Sequence, residues 1–186
     1  CITAGPPYNT EFRYQQHQAT LKAAEKVNEA DAEFGKLFGR SYGGMVEAYR
    51  CDDAEAILIT LGSVAGTTRC VVDALREQGK KVGLLKIRCM RPFPSKEVTE
   101  IVKNAKFVGV LEKDISFGFE GVVYTDVCSA LKSAAVDVPA ANYVGGLGGR
   151  SISKADIEGI YTELLNGSAK VGEANFVNLR RDICGA

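Results

Sequence analysis

The sequence predicts an α/β fold: a mixed five-stranded sheet, with four parallel strands and one antiparallel edge strand, covered by helices on both faces. Four short apolar runs recur along the chain, and a segment of helix length follows each of them. The strongest runs are apolar almost throughout, as expected for strands that are covered on both faces. Strands that alternate with helices of about 10–15 residues form βαβ units, and right-handed crossovers then place helices on both sides of the sheet.

The N-terminal part of the chain predicts a linker and one long helix. Residues 1–9 contain a glycine followed by two prolines, which is typical of a loop. Thr10 is a suitable cap for a helix over residues 11–38, and Gly39 is a suitable stop. This helix is polar but carries aromatic residues near both ends, so two hypotheses stay open: it docks on a partner, or it covers its own domain.

The strands follow from hydrophobic runs bounded by turn residues. Residues 45–49 alternate between apolar and polar, and no helix separates them from the next strand, so we expect the antiparallel edge strand here. The four parallel strands are predicted at residues 56–61, 82–87, 107–111 and 140–144.

The helices between the strands follow from cap and stop residues. Serines at 63, 95 and 153 are suitable N-caps, and Asp156 completes a capping box with the last of them. The predicted helices cover residues 63–78, 95–104, about 122–132, and 153–165. Residues 167–186 show no period and are expected to be irregular, although their apolar side chains suit ordering against a partner. The chain thus divides into a linker and helix (1–43), an α/β domain (44–166) and a tail (167–186).

Composition excludes several classes of protein. Lys+Arg and Asp+Glu both number 23, so the net charge is zero and the basic excess of a nucleic-acid-binding protein is absent. No run of about 18 apolar residues predicts a membrane span. The six cysteines form no C-x-x-C pair and there is one histidine, so a metal site is poorly supplied and a reducing, cytoplasmic location is expected. The first residue is Cys1, without a leader sequence, which we interpret as a position inside a longer chain.

A candidate binding site lies where the strand order reverses. In open α/β sheets, ligands bind at the carboxyl ends of the strands at this point, and helix N-termini there attract anions. The sequence therefore predicts a possible anion site at Gly62, Ser63, Glu112, Lys113, Gly118 and Gly121. The alternative is that these glycines only make tight turns.

Motifs that would carry catalysis are missing from the sequence. There is no G-x-x-x-x-G-K-[ST] loop and no G-x-S-x-G elbow. Gly146 and Gly148 give half of a dinucleotide fingerprint, but they follow the last predicted strand rather than the first. No catalytic, cofactor-binding or metal-binding residue is predicted in this chain.

Several motifs, in order and at suitable spacing, resemble the alpha subunits of pyruvate:ferredoxin oxidoreductases. The stretch Phe12-Arg13-Tyr14-Gln15-Gln16 is similar to the family's M-E-F-R-Y-Q-Q. Further resemblances are F-G-R-S-Y-G-G at 38–44, L-G-S at 61–63, R-P-F-P at 91–94, V-L-E-K at 110–113 with Gly118 and Gly121, and G-G-L-G-G-R at 145–150. Together they cover residues 10–165.

The resemblance implies a fold like the transketolase C-terminal domain, a three-layer α/β/α sandwich. It also implies a parent enzyme that converts pyruvate and coenzyme A to acetyl-CoA and carbon dioxide and passes electrons to ferredoxin. That enzyme uses thiamine diphosphate, magnesium and iron–sulfur clusters. The family's G-D-G diphosphate motif and its ferredoxin-type cysteine runs are absent from this sequence.

Three hypotheses for function follow. The first is a non-catalytic accessory domain of a thiamine-dependent 2-oxoacid:ferredoxin oxidoreductase, which contributes subunit packing and active-site access and is inactive alone. Its partners are the other subunits, and it meets ferredoxin and coenzyme A through the parent complex. The second is a stand-alone module that binds an anionic ligand in the switch-point crevice. The third, a free-standing dehydrogenase, would need a nucleotide fingerprint after the first parallel strand, and residues 62–66 do not supply one.

Overall fold

A computed structural model describes residues 5–185, so the first four residues of the predicted linker lie outside the described part. The chain forms a six-stranded mixed sheet in the order β1-β3-β2-β4-β5-β6. The strands are β1 (Val46–Tyr49), β2 (Ala56–Leu61), β3 (Val82–Ile87), β4 (Phe107–Glu112), β5 (Ala140–Val144) and β6 (Ala174–Phe176). β1 pairs antiparallel with β3, and the other neighbouring pairs are parallel. The predicted antiparallel edge strand is confirmed.

The prediction of five strands is wrong, because the tail contributes a sixth. β6 pairs in parallel with β5, with Asn142 opposite Ala174 and Val144 opposite Phe176. The side chain of Asn175 strengthens this pairing by donating to the Asn142 carbonyl oxygen at 3.0 Å. Three residues are too few to show a period of two, so the sequence pattern alone could not reveal this strand.

The helices are α1 (Pro6–Phe38), α2 (Val64–Glu77), α3 (Ser95–Val102), α4 (Val122–Ser133), α5 (Lys154–Asn166) and the short α6 (Arg181–Cys184). α2 and α5 pack on one face of the sheet. α3 and α4 pack on the other face, where Ala24 and Val27 of α1 also contact the core. The result is the predicted three-layer α/β/α sandwich.

Helix starts were predicted less accurately than helix positions. α1 begins at Pro6 rather than after Thr10, and its N-cap is Gly5. Prolines are tolerated in a first turn because the N–H that they lack would have no helical partner there. Ser63 precedes α2 without a side-chain capping bond. Ser153, by contrast, forms the predicted capping box with Asp156 at the start of α5.

One buried tyrosine fastens α5 to the sheet. Tyr161 of α5 is fully buried, and its hydroxyl donates to the Gly83 carbonyl oxygen on β3 at 2.8 Å. Residue 83 has no room for a side chain, because a Cβ there would lie 2.7 Å from the Arg50 carbonyl oxygen. The small residue therefore allows the chain at Arg50 to pass close over the strand.

The two halves of α1 differ in their contact with the domain. From Pro6 to His17 every residue is exposed, whereas Thr20, Ala24, Val27 and Asp31 lie on a half-buried face. These positions recur every three to four residues, as expected for one side of a helix. None of the helices in the described part of the chain combines the length and apolar character that crossing a membrane requires.

Candidate functional site

The strand order reverses between β2 and β4, in the middle of the sheet. From β2 the chain passes through α2 to β3 on one side, and from β4 it passes through α4 to β5 on the other side. The loops therefore diverge and leave a crevice at the carboxyl ends of the two strands. Inside this end of the sheet, the buried Thr60 hydroxyl donates to the Leu111 carbonyl oxygen at 2.7 Å and joins the strands.

A cavity of about 340 Å³ fills this crevice. Four of the six residues predicted for the anion site line it: Gly62, Ser63, Glu112 and Lys113. The other two, Gly118 and Gly121, lie in the loop before α4 and are not part of its lining. The apolar walls come from Leu61, Val64, Leu111, Val123 and Ile152.

The side chain of Glu112 is fully engaged in hydrogen bonds within the chain. Its side chain accepts hydrogen bonds from the backbone N–H of Val123 at 2.8 Å and of Tyr124 at 3.1 Å. It also accepts one from the Asn142 amide at 2.9 Å. Val123 and Tyr124 are in the first turn of α4, so the chain's own carboxylate fills the place at which a helix N-terminus would attract an external anion.

The pKa of Glu112 reflects a balance between burial and hydrogen bonding. Glu112 is 3% exposed, and this burial raises the pKa of its carboxyl because it disfavours the charged form. The hydrogen bonds from Val123, Tyr124 and Asn142 oppose the effect but do not cancel it. A carboxyl group with all these partners is a structural element rather than a free acid or base.

Asn142 is a site residue that sequence reasoning missed. It is fully buried on β5. Its side-chain Nδ2 donates to Glu112, and its side-chain Oδ1 accepts from the Gly121 N–H at 3.0 Å. A polar residue within an otherwise apolar strand, Ala-Ala-Asn-Tyr-Val, was the available signal. Since buried polar groups require partners, that asparagine indicated a network at this edge of the sheet.

The side of the cavity formed by Gly62, Ser63 and Lys113 keeps polar groups available. Gly62 has a φ of +70°, and Ser63 already has helical dihedral angles without a capping bond. The N-terminus of α2 therefore begins beside the cavity, where the first N–H groups of a helix lack partners one turn earlier. The stem of Lys113 passes close to Gly146, where a Cβ would lie 2.9 Å from the lysine Cε.

No three Cys, His, Asp or Glu side chains within residues 5–185 come close enough together to hold a metal ion. The five cysteines in this part of the chain are all free: Cys51, Cys70, Cys89, Cys128 and Cys184. The described residues therefore do not supply the ligands of an iron–sulfur cluster.

Comparison with known proteins places the sequence in one enzyme class. The family model for pyruvate:ferredoxin oxidoreductase core domain II matches residues 54–157. Pyruvate synthase subunit PorA of Methanothermobacter thermautotrophicus is 45% identical over 155 residues, which are 83% of this chain and 39% of the relative. Ketoisovalerate oxidoreductase subunit VorA of Pyrococcus abyssi is 38% identical over 161 residues, which are 87% of this chain and 41% of that relative.

A solved structure shares the fold. The 2-oxoglutarate:ferredoxin oxidoreductase from Magnetococcus marinus, with 2-oxoglutarate, coenzyme A and succinyl-CoA bound, matches with a TM-score of 0.51 and 18% identity, over 72% of this chain and 21% of that one. The chain spans less than half the length of the PorA and VorA relatives. The family match covers more than half of the chain, and we conclude that the chain belongs to the pyruvate:ferredoxin oxidoreductase core domain II family.

Proposed function

We propose that this chain is a non-catalytic accessory domain of a thiamine-dependent 2-oxoacid:ferredoxin oxidoreductase, and that it contributes subunit packing and shapes access to the active site. The parent reaction would convert pyruvate and coenzyme A to acetyl-CoA and carbon dioxide, and the electrons released would reduce ferredoxin. Membership of the core domain II family supports the class of enzyme. The PorA relative supports pyruvate as the 2-oxoacid, and the VorA relative makes ketoisovalerate the second candidate.

The state of Glu112 is the observation that carries the non-catalytic assignment. It is the one charged residue in the core of the described part of the chain. All of its hydrogen bonds go to α4 and to Asn142, so it is not available to transfer a proton to a substrate. General acid–base catalysis requires a group within hydrogen-bond reach of the reacting atoms. Glu112 is not such a group, and the other charged residues that line the cavity, Lys113 and Asp114, are exposed.

The same proposal assigns the cofactors to other parts of the enzyme. Thiamine diphosphate, magnesium and iron–sulfur clusters would be held by parts of the enzyme that this chain does not span. No three cysteine, histidine or acidic side chains come together among the described residues, and the sequence has no G-D-G motif. Ferredoxin and coenzyme A would likewise meet the parent complex. A cytoplasmic location is consistent with five free cysteines, since disulfides form mainly in oxidising compartments.

We propose a narrower form of the anion site. Gly62, Ser63 and Lys113 would contact an anionic group at the mouth of the cavity, and Glu112, Gly118 and Gly121 would serve the loop and helix beside it. The unpartnered N–H groups of α2 and the lysine charge support this division. Titration of the chain with phosphate and with coenzyme A by calorimetry should give weak binding that Lys113→Gln abolishes; no heat for either ligand would contradict the proposal.

The division of the chain also stays a proposal, with units at 1–43, 44–166 and 167–186. The pairing of β6 with β5 ties the third unit to the sheet of the second. Expression of residues 44–166 alone, compared with the full chain, tests the division. If removing the tail unfolds the sheet, the tail is part of the domain.

Enzyme assays test the main proposal. The purified chain should show no reduction of a viologen dye with pyruvate and coenzyme A above a blank without protein. It should bind the part of the Methanothermobacter PorA polypeptide that lies outside the matched segment, because the two would form one subunit. Dye reduction by the chain alone would contradict a non-catalytic role, and failure to bind that polypeptide would contradict the accessory role.

A further inference from the structure

Three aromatic side chains and one arginine form an ordered cluster where α1 meets β1. Phe34 and Phe38 lie near the end of α1 with their ring centroids 4.6 Å apart. The Tyr42 ring, in the loop that follows, lies 5.9 Å from that of Phe34. Phe38 is 63% exposed and Tyr42 is 41% exposed, so the cluster faces outward. We call Phe34, Phe38, Arg40 and Tyr42 the corner cluster.

Arg40 is held by the rings of this cluster. Its Cζ atom lies 5.5 Å from the ring centroid of Phe34 and 5.9 Å from that of Tyr42, within the range of cation–π attraction. Within the described residues, no carboxylate forms an ion pair with Arg40, whereas the nearby Arg88 pairs with Asp31. Arg40 therefore presents a fixed, uncompensated fork of N–H donors, the geometry that binds carboxylates bidentately.

The loop that carries Arg40 is anchored immediately after that residue. Asp31 accepts hydrogen bonds from the Ser41 hydroxyl at 2.5 Å and from the backbone N–H groups of Tyr42 at 3.0 Å and Gly43 at 3.2 Å. The Arg88 guanidinium also binds the Gly44 carbonyl oxygen at 2.9 Å. A surface that is ordered before binding loses less conformational entropy when a partner docks.

We propose that the corner cluster is a docking site for a protein segment that carries a carboxylate, and that this segment belongs to the part of the α subunit that the present chain does not span. The uncompensated charge of Arg40 selects an acidic occupant. Exposed aromatic rings beside an arginine are enriched at protein interfaces and supply most of their hot spots. The matched PorA relative extends well beyond the matched segment, which is 39% of its length. The inference rests on the proposed function.

A binding experiment tests this docking site. The chain is mixed with the separately expressed part of the Methanothermobacter PorA polypeptide outside the matched segment, and the Kd is measured at low and high salt. Arg40→Glu should weaken binding by at least about tenfold, as for loss of an interface hot spot. Arg40→Lys should weaken it less, because lysine keeps the charge but not the planar fork. High salt should reduce the difference.

Two controls separate docking from folding and from net charge. The variant Lys80→Glu makes the same charge reversal just before the start of β3, whereas Arg40 lies near the other end of that strand. This control variant should leave the Kd within about twofold. Thermal unfolding should show that the Arg40 variants keep the stability of the unsubstituted chain, because Arg40 is exposed.

The occupant is identified by a photo-crosslinker placed at Phe38. The crosslinked peptide should contain Asp or Glu, and substitution of that acid by Lys should restore binding to the Arg40→Glu chain. Equal affinity of Arg40→Glu and the unsubstituted chain would overturn the docking site while leaving the proposed function intact. Weakened binding to another subunit, with unchanged binding to the PorA polypeptide, would overturn the choice of occupant. No binding by the unsubstituted chain would overturn the proposed function itself.

Discussion

The carboxylate of Glu112 occupies the space that a side chain on residue 121 would need. A Cβ built on Gly121 overlaps the Glu112 carboxyl group, although the Gly121 backbone has an ordinary φ of −73°. The requirement for glycine here is therefore one of space rather than of backbone conformation. Glu112, Gly121 and Asn142 form one closed network that ties β4, β5 and α4 together at the carboxyl edge of the sheet.

Gly121→Ala should destabilise the chain by at least about 2 kcal/mol, because the added methyl group displaces a buried carboxylate from its partners. Chemical denaturation measures the change. The matched control is Gly159→Ala, at an open position inside α5 where a Cβ meets nothing within 4 Å. That control should stabilise the chain by about 0.4–1 kcal/mol, since alanine lowers the entropy of the unfolded chain. Equal stability of the two variants would contradict this account of Gly121.

Glu112→Gln should lower the free energy of unfolding by about 1–3 kcal/mol. The amide N–H₂ of glutamine would face one of the groups that donate to Glu112, and a buried N–H would then lack an acceptor. Its pH dependence follows from the raised pKa of Glu112. An acid with a raised native pKa stabilises the fold most below its ordinary value of 4.5, and this contribution falls as pH rises through the native pKa. The stability difference between the unsubstituted chain and Glu112→Gln should therefore be larger near pH 4.5 than near pH 7.

The Glu112 titration is measured by denaturation at a series of pH values. The control is Glu97→Gln, at a half-buried position in the first turn of α3, which removes a carboxylate that takes no part in the Glu112 network. A stability difference that grows from pH 4.5 upward would mean that the pKa of Glu112 is lowered in the folded chain rather than raised.

Asp31→Asn should loosen the loop between α1 and β1. The hydrogen bond from Ser41, followed by that from the Tyr42 N–H, lowers the pKa of Asp31 below its ordinary value of 3.8. A lowered pKa gives stability that is present above this value and is lost as pH falls through the native pKa. The unsubstituted chain should therefore unfold at a higher temperature than the variant near neutral pH, and the two curves should converge below pH 3.8.

Asp137→Asn is the control for this effect, since Asp137 is exposed and forms no ion pair within the described residues. It should leave the unfolding temperature unchanged near neutral pH. A constant difference between Asp31→Asn and the unsubstituted chain down to low pH would show that the charge of Asp31 is not what holds the loop.

Hydrogen exchange should divide α1 into two parts. The amides of residues 6–17 should exchange quickly in the isolated chain, because a short, fully exposed helical segment is only marginally stable in water. Residues 20–35 should be protected by contact with the core and by the bonds to Asp31. Binding of the remaining PorA polypeptide should slow exchange in residues 6–17. Strong protection there in the isolated chain would contradict a role in docking.

The sequence was sufficient for the parts of the fold that depend on local pattern. The four predicted parallel strands were found because each is a mostly apolar run of five or six residues, and the edge strand because no helix follows it. The position of the crevice followed from the alternation of strands and helices.

Contacts between distant residues were beyond such reasoning. Glu112 was predicted as part of an anion site because it follows a predicted strand. A residue in that position can contact either a ligand or the next helix, and the sequence does not distinguish the two. Its partner Asn142 is 30 residues away along the chain, and nothing near either residue predicts that they meet. β6 was missed for a similar reason, since its place is set by the edge of β5 rather than by a period of its own.

The exposed start of α1 has a mechanical consequence. A flexible linker of the same length would let an attached body sample many positions, but a helix fixes both distance and rotation at 1.5 Å and 100° per residue. Tyr8 is ten residues before Gln18, the first half-buried position of α1, so it extends about 15 Å beyond the domain. Alone, this exposed segment is only marginally stable. Once a partner binds and stabilises it, the helix becomes a rigid spacer that holds the partner at a set angle to the sheet, and one inserted residue would rotate the partner by about 100°.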